Sequence, residues 1–428
     1  VSSPISGRSN ELLGRQINDA GGEVLLDQRV RRFGSHHQKF FVIRHRDNPS
    51  RDIAFVGGID LSHSRRDTAN HAGDPQALTM DPRYGKRPPW HDASLELRGP
   101  VVTDLLAVFA ERWNDPHPLD RRTPYGMLLQ RLARMPRHPK PLPDAAPPPP
   151  SAGPHAVQLL RTYGVIRPPF PFAPAGERSV ARAYAKAFAR ARSLIYIEDQ
   201  YLWSTEVTAA LATALERNPE LNLIAVVPRY PDSDGPLSGP PIRLGQLRAI
   251  GMLRRIAPDR VGVFDLENSA GTPIYVHAKI CIVDDTWITC GSANFNRRSW
   301  TTDSELTCAV IDTAADNREP PGTQSAHDAS RSLALDFRHQ LWAEHLGLEQ
   351  SDPVLRDLAA GLKLWNTTAD ELDHWHTSGR QVSRPIGQVR HHTTEPVPAI
   401  QRLWAAPISR LVVDPDGRPR RLRGTAQF

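Results

Sequence analysis

Residues 275–300 read YVHAKICIVDDTWITCGSANFNRRSW. Two apolar runs, 278–283 and 286–290, have the composition of β-strands joined by a short loop. His277 and Lys279 stand at i and i+2, so a strand would project an imidazole and an ammonium from one face. The turn Gly291-Ser292-Ala293-Asn294 then offers backbone N–H groups, a hydroxyl and an amide, on residues small enough to let an anion approach the backbone.

The same phrase occurs earlier. His37-Gln38-Lys39 enters the apolar run FFVI, the run IAFV follows at 53–56, and Gly57-Gly58-Ile59-Asp60 closes it. Twelve positions separate Lys279 from Gly291 and eighteen separate Lys39 from Gly57. The loop RHRDNPSRD (44–52) is the obvious insertion in the first copy. Each copy is followed by a strand with acidic residues at its start, Trp90-His91-Asp92 and Asp303-Ser304-Glu305. Only six of the 53 Lys+Arg residues are lysine, so two lysines placed two residues after a histidine suggest a chemical requirement. This is an internal repeat of a site, and its two halves should meet across a pseudo-two-fold axis.

Two His, two Lys, a Ser and an Asn or Asp around one pocket suit a phosphoryl group. Lysine and amide donors stabilise the equatorial oxygens, one imidazole attacks phosphorus and the other protonates the leaving oxygen. A carboxylate on the far ring nitrogen would fix each tautomer. Sequence order suggests Glu305 for His277 and Asp92 for His37. Ser292, Asn294, Gly58 and Asp60 are the candidates to hold the phosphate.

The length of 428 residues predicts two or three domain-sized units. Residues 136–155, almost half proline, read as an extended connector between a first half, 1–135, and a second, 156–350. In the first half a helix over 102–114 would bury Leu105, Leu106, Phe109 and Trp113 on one face. In the second, helices expected at 177–191, 205–217, 243–257 and 325–345 alternate with strands, which argues for α/β. Residues 351–428 read as a polar tail, helical around 352–365. The net charge of +6 favours anionic partners. Cys281, Cys290 and Cys308 sit in apolar runs and read as buried free thiols. No run reaches the length of a membrane span, and the expected location is cytoplasmic or peripheral to a membrane.

The 275–300 stretch, with Glu305 after it, resembles the HKD signature of the phospholipase D superfamily. The first copy is similar to that of the true phospholipase D branch, with GGIDL, SRRDT and PWHD, and IEDQYLW (197–203) resembles a segment of that branch. The resemblance covers roughly 30–345. It implies an α/β fold of two pseudo-symmetric α/β/α sandwich halves sharing one active site at their interface. It implies a metal-independent phosphodiesterase, without cofactor, working through a covalent phosphohistidine. Its substrate would be a phospholipid at a membrane surface and its acceptor water or an alcohol, with no nucleic acid and a monomeric chain. By the family's usual order His37 is the nucleophile and His277 the acid and base, with Lys39, Lys279 and Asp284 completing the signature. One position departs from it: Arg44 stands where an Asp is expected, and the chain starts close to its first motif. Other readings are a cardiolipin- or phosphatidylserine-synthase-like transferase, a nuclease, and an inactive phosphate-binding scaffold.

Overall fold

The computed structural model describes residues 4–119, 140–312 and 332–428, apart from 63–64, 76–79, 144–145, 233–234, 236, 424 and 426–427. The start of the connector expected at 136–155, and of the helix expected at 325–345, lie outside these.

The first half opens with helix α1 (Pro4–Asp19) and builds a three-stranded antiparallel sheet, β1 (Phe40–Ile43), β2 (Ile53–Gly57) and β4 (Ser94–Leu97), in the order β1-β2-β4. The short strand β3 (Trp90–His91) precedes β4, and helix α2 (Val101–Trp113) follows it. The buried stripe of α2 is Val101, Val102, Leu105, Val108 and Arg112 rather than the expected aromatic face. Phe109 is exposed and stacks on Trp113. The stripe shifts because Arg112 is drawn inward to Asp27, 2.7 Å away, and a buried charge needs that partner.

The second half is organised on a nine-stranded sheet of order β14-β9-β8-β7-β11-β12-β13-β5-β6. Its middle is β7 (Leu194–Asp199), β11 (Lys279–Val283), β12 (Trp287–Gly291) and β13 (Glu305–Asp312). Strands β8 (Asn222–Val226) and β9 (Val261–Leu266) run parallel to β7, and β5 (His155–Tyr163) with β6 (Glu177–Arg178) extends the other side. Near-continuous apolar runs such as LIYI fit strands buried on both faces. One face is covered by α3 (Ser179–Arg190), α4 (Thr205–Arg217) and α5 (Gly239–Ile256) through Tyr184, Leu211 and Leu253, with Trp300 of the short helix α6 (Arg297–Thr301) in the same core. The other packs on α7 (Ser332–Leu346) and α8 (Leu358–Thr377), and on the first-half sheet. There Ala54, Val56 and Leu97 share a core with Ile280, Ile282, Cys290 and Leu306.

The segment after 350 is more than a tail. Trp365, Ala369 and Leu372 of α8 are fully buried, and β14 (Val389–His391) adds an edge strand beside β9. The three cysteines are buried free thiols. Among the described residues, no helix is long and apolar enough to cross a membrane.

The repeat is visible in the backbone. β1-β2-β4 and β11-β12-β13 are antiparallel triplets of the same order. Gly57 and Gly291 occupy matching positions, where an added Cβ would stand 2.3 Å from Ala93 O and 2.5 Å from Thr307 Cα of the next strand. Neither place admits a side chain.

Candidate active site

The two copies are joined by backbone pairing between the halves. β10 (Tyr275–Val276) runs parallel to β3, and His277 N–H donates to His91 O at 2.8 Å. On the other side, His37 N–H donates to Ser304 O at 2.9 Å. Each motif histidine therefore enters the site on a strand hydrogen-bonded to the opposite half.

This explains an exchange of carboxylates. His277 Nδ1 lies 2.7 Å from Asp92 Oδ2, and His37 Nδ1 lies 3.0 Å from Glu305 Oε2. Both pairings are the reverse of the expected ones. A carboxylate at a strand start faces the histidine of the neighbouring strand across the interface, not the one that precedes it in its own copy. Both imidazoles thus have Nδ1 occupied, which leaves Nε2 for a reacting group.

The lysines lie beside them. Lys39 Nζ donates to His37 O at 3.1 Å and sits 3.3 Å from Asp60 Oδ1. Lys279 Nζ donates to His277 O and, at 3.3 Å, to Gln200 Oε1. Gln200 was not among the expected site residues, although it ends the IEDQ segment. Burial, reinforced by the positive charges of Lys279 and Lys39, pushes the His277 imidazole down to about 3 against the pull of Asp92. Burial also brings the Lys279 ammonium down to about 8. For Asp60, burial acts upward, but Lys39, His277, His37 and Arg65 hold its carboxyl at about 2.

The four expected phosphate contacts divide. Ser292 Oγ gives its hydrogen to Glu305 and accepts from Leu306 N–H, so it steadies a carboxylate and has no hydrogen left for an anion. Gly58 N–H is taken by Ala93 O at 2.9 Å, and an added Cβ there would stand 2.1 Å from Asp92 Oδ1. Asp60 is an anion set against Lys39. Asn294 keeps a role in the mouth. It lines a cavity of about 220 Å³ with His37, Ser35, Tyr201, Trp203, Arg298 and Asp303, and its Oδ1 is buried without a hydrogen-bond partner among the described residues.

Asp284 is not in the site. It follows β11 at the end away from Lys279, where its carboxylate accepts the N–H groups of Arg192, Ser193 and Leu194. In the first half Arg44 occupies the matching position, and the carboxylate comes from the inserted loop instead. Asp52 accepts Arg44 Nε and His45 N–H, both at 2.6 Å. Trp300 is core, stacked on Tyr184, whereas the Trp90 ring lies 4.9 Å from that of His277.

Comparison with known proteins gives the family. The family model described as Phospholipase D matches residues 10–162 and 264–375, more than half of the chain, and the chain belongs to that family. A second model, described as Cardiolipin synthase, PLD-like domain, matches 184–318. The phospholipase D alpha 1 of Cynara cardunculus is 26% identical over 87% of this chain and 57% of its own length. That of Zea mays is 26% identical over 90% and 58%. The chain thus spans little more than half the length of the curated relatives it matches. Among solved structures, phosphatidylserine synthase of Haemophilus influenzae Rd KW20 aligns at 16% identity and a TM-score of 0.43, over 68% of this chain and 60% of the other.

Proposed function

We propose that the chain is a phospholipase D-type phosphodiesterase that cleaves the headgroup ester of a glycerophospholipid. The observation that carries this reading is the pair of imidazoles, each held at Nδ1 by a carboxylate of the opposite half and each with its motif lysine at its own backbone carbonyl. His37 Nε2 attacks phosphorus and the bond to the headgroup oxygen breaks. His277 delivers a proton to that oxygen, which leaves as an alcohol. Water, or a second alcohol, then gives its proton to His277 and attacks the phosphatidyl-His37 bond, restoring His37. Lys39, Lys279 and the Asn294 amide stabilise the equatorial oxygens. The negative phosphodiester offsets the two ammonium groups that disfavour a protonated His277, so binding prepares the acid for the first step.

The low pKa of His277 in the free site favours a second assignment, with His277 as nucleophile and His37 as acid. Turnover of labelled lipid quenched in denaturant at alkaline pH, where a P–N bond survives, followed by peptide mapping separates the two, because the label marks the nucleophile. The match to the cardiolipin synthase-type model supports phosphatidyl transfer to a lipid alcohol as an alternative outcome of the same covalent step.

The test is phosphatidylcholine vesicles with a primary alcohol present. Choline release together with a phosphatidyl-alcohol product is expected. His277→Ala should lower turnover by at least ~10³-fold with an unchanged circular dichroism spectrum. A folded variant that keeps a tenth of the activity would sink the reading.

A further inference from the structure

Directly behind Asp92, on the side away from the active-site cavity, lies a second cluster of histidines and carboxylates that the proposed reaction does not use. Residue 91 puts its ring there, while its backbone carbonyl accepts from His277 N–H. His91 Nδ1 lies 3.2 Å from Glu344 Oε1, and His71 Nε2 lies 3.0 Å from the same oxygen. These three atoms come from three places: a first-half loop, β3, and helix α7 of the second half.

The far nitrogens decide what can sit between them. His71 Nδ1 is 3.0 Å from Trp90 O, and His91 Nε2 is 2.7 Å from Glu198 Oε2. Both partners are acceptors, so each ring gives its N–H outward when neutral. The three atoms all lie within 4.8 Å of one another and can share an ion once the inner protons leave. Burial acts against a charged His91, but Glu198 and Glu344 raise its imidazole well above the usual value, so an ion must displace the Nδ1 proton. The two separations from Glu344 Oε1, 3.0 and 3.2 Å, are close to the edge of a tetrahedron of ligands about 2.1 Å from a common ion. Outward hydrogen bonds to a carbonyl and a carboxylate are also what fixes ligating imidazoles in metal sites.

We propose that His71 Nε2, His91 Nδ1 and Glu344 Oε1 bind a divalent cation, zinc before others, with a fourth position open to water. Two nitrogens and one oxygen suit zinc and exclude calcium or magnesium, which take oxygen ligands. A neighbouring triad, His91, Glu198 and His345, is a poorer site. Glu198 is fully buried and already accepts from Tyr196 at 2.6 Å and His345 at 2.8 Å. Glu344, with 29% of its side chain exposed, leaves the first triad a route from solvent. The ion touches no substrate. It would clamp β3 to helix α7 and so hold Asp92, the next residue, against His277. The site stands whether or not the phosphodiesterase reading does.

The experiment is metal analysis of the full chain after dialysis against zinc-buffered solution. About one zinc per chain is expected in the wild type, in His277→Ala and in His391→Ala, and much less in His71→Ala and Glu344→Ala. Zinc-free folded wild type would show that two extra protons bridge the cluster instead and would overturn the proposal. Unchanged zinc in folded His71→Ala would overturn it as well. Should that variant not fold, cobalt loading of the wild type decides. Intense visible bands of four-coordinate cobalt support the site, and their absence removes it.

Discussion

The two copies of the motif perform the same local task with unequal support. The second lies mid-sheet: β11 is flanked by β7 and β12, and Lys279 is 1% exposed. The first lies on β1, an edge strand paired only with β2 among the described residues, and the His37 side chain is 27% exposed. The difference reaches the carboxylate below each strand. Asp284 secures three successive N–H groups from the position the motif prescribes, whereas Asp52 reaches its targets from a loop. What is required at that point is a carboxylate on the strand end, and its place in the sequence is secondary. At Arg44 the support is rearranged, with Asp52 as its carboxylate.

The sharpest way to break the symmetry is at the turn. Gly58 and Ser292 are counterparts, but one has no room for a Cβ and the other uses its hydroxyl. Gly58→Ala pushes Asp92 away from His277 and should lower kcat by ~10²-fold. Ser292→Ala removes one hydrogen bond from Glu305 and should cost about tenfold. Steady-state kinetics that rank them in the opposite order would mean that His37 depends on its carboxylate more than His277 does.

The strand-end carboxylates come next. Asp284→Ala leaves three backbone N–H groups without their acceptor and should cost about 3 kcal/mol of stability in urea unfolding. Asp52→Ala frees one N–H and leaves the Arg44 guanidinium, on a side chain 14% exposed, with only its bonds to Ala146 O and Pro147 O, and about 2 kcal/mol is expected. Equal losses would show that the loop-borne support is as strong as the one in register.

The smallest effect is in the pH dependence. Burial lowers the Lys279 ammonium to about 8, so it is charged below that pH and neutral above it. In the proposed reaction kcat/KM, which reports the free enzyme and already falls as His277 loses its proton, should fall by up to about a further tenfold per pH unit above 8. A profile whose slope does not steepen there would show that Lys279 is not needed in its charged form.

Much of this was legible in the sequence, and the exceptions share a cause. The His-x-Lys strands, the glycine turns and the second-half helices follow from local periodicity and spacing. The carboxylate pairings do not, since Asp92 is 185 residues from His277 and Glu305 is 268 from His37. Only the way the halves dock decides them. The inward face of α2 was misread for the same reason, because Asp27 draws Arg112 inside. Ser292 has the composition of an anion site, yet its hydrogen is spoken for by Glu305, a neighbour 13 residues on.

The crossed carboxylates bear on how the protein is made. A ribosome releases His37, Lys39 and Asp92 early, but Glu305 emerges only with β13, and His277 finds Asp92 only when that strand system has closed over the first half. Until then neither imidazole has its tautomer fixed. A growing chain therefore carries neither imidazole oriented, and the proposed reaction would begin only when folding is complete rather than during synthesis.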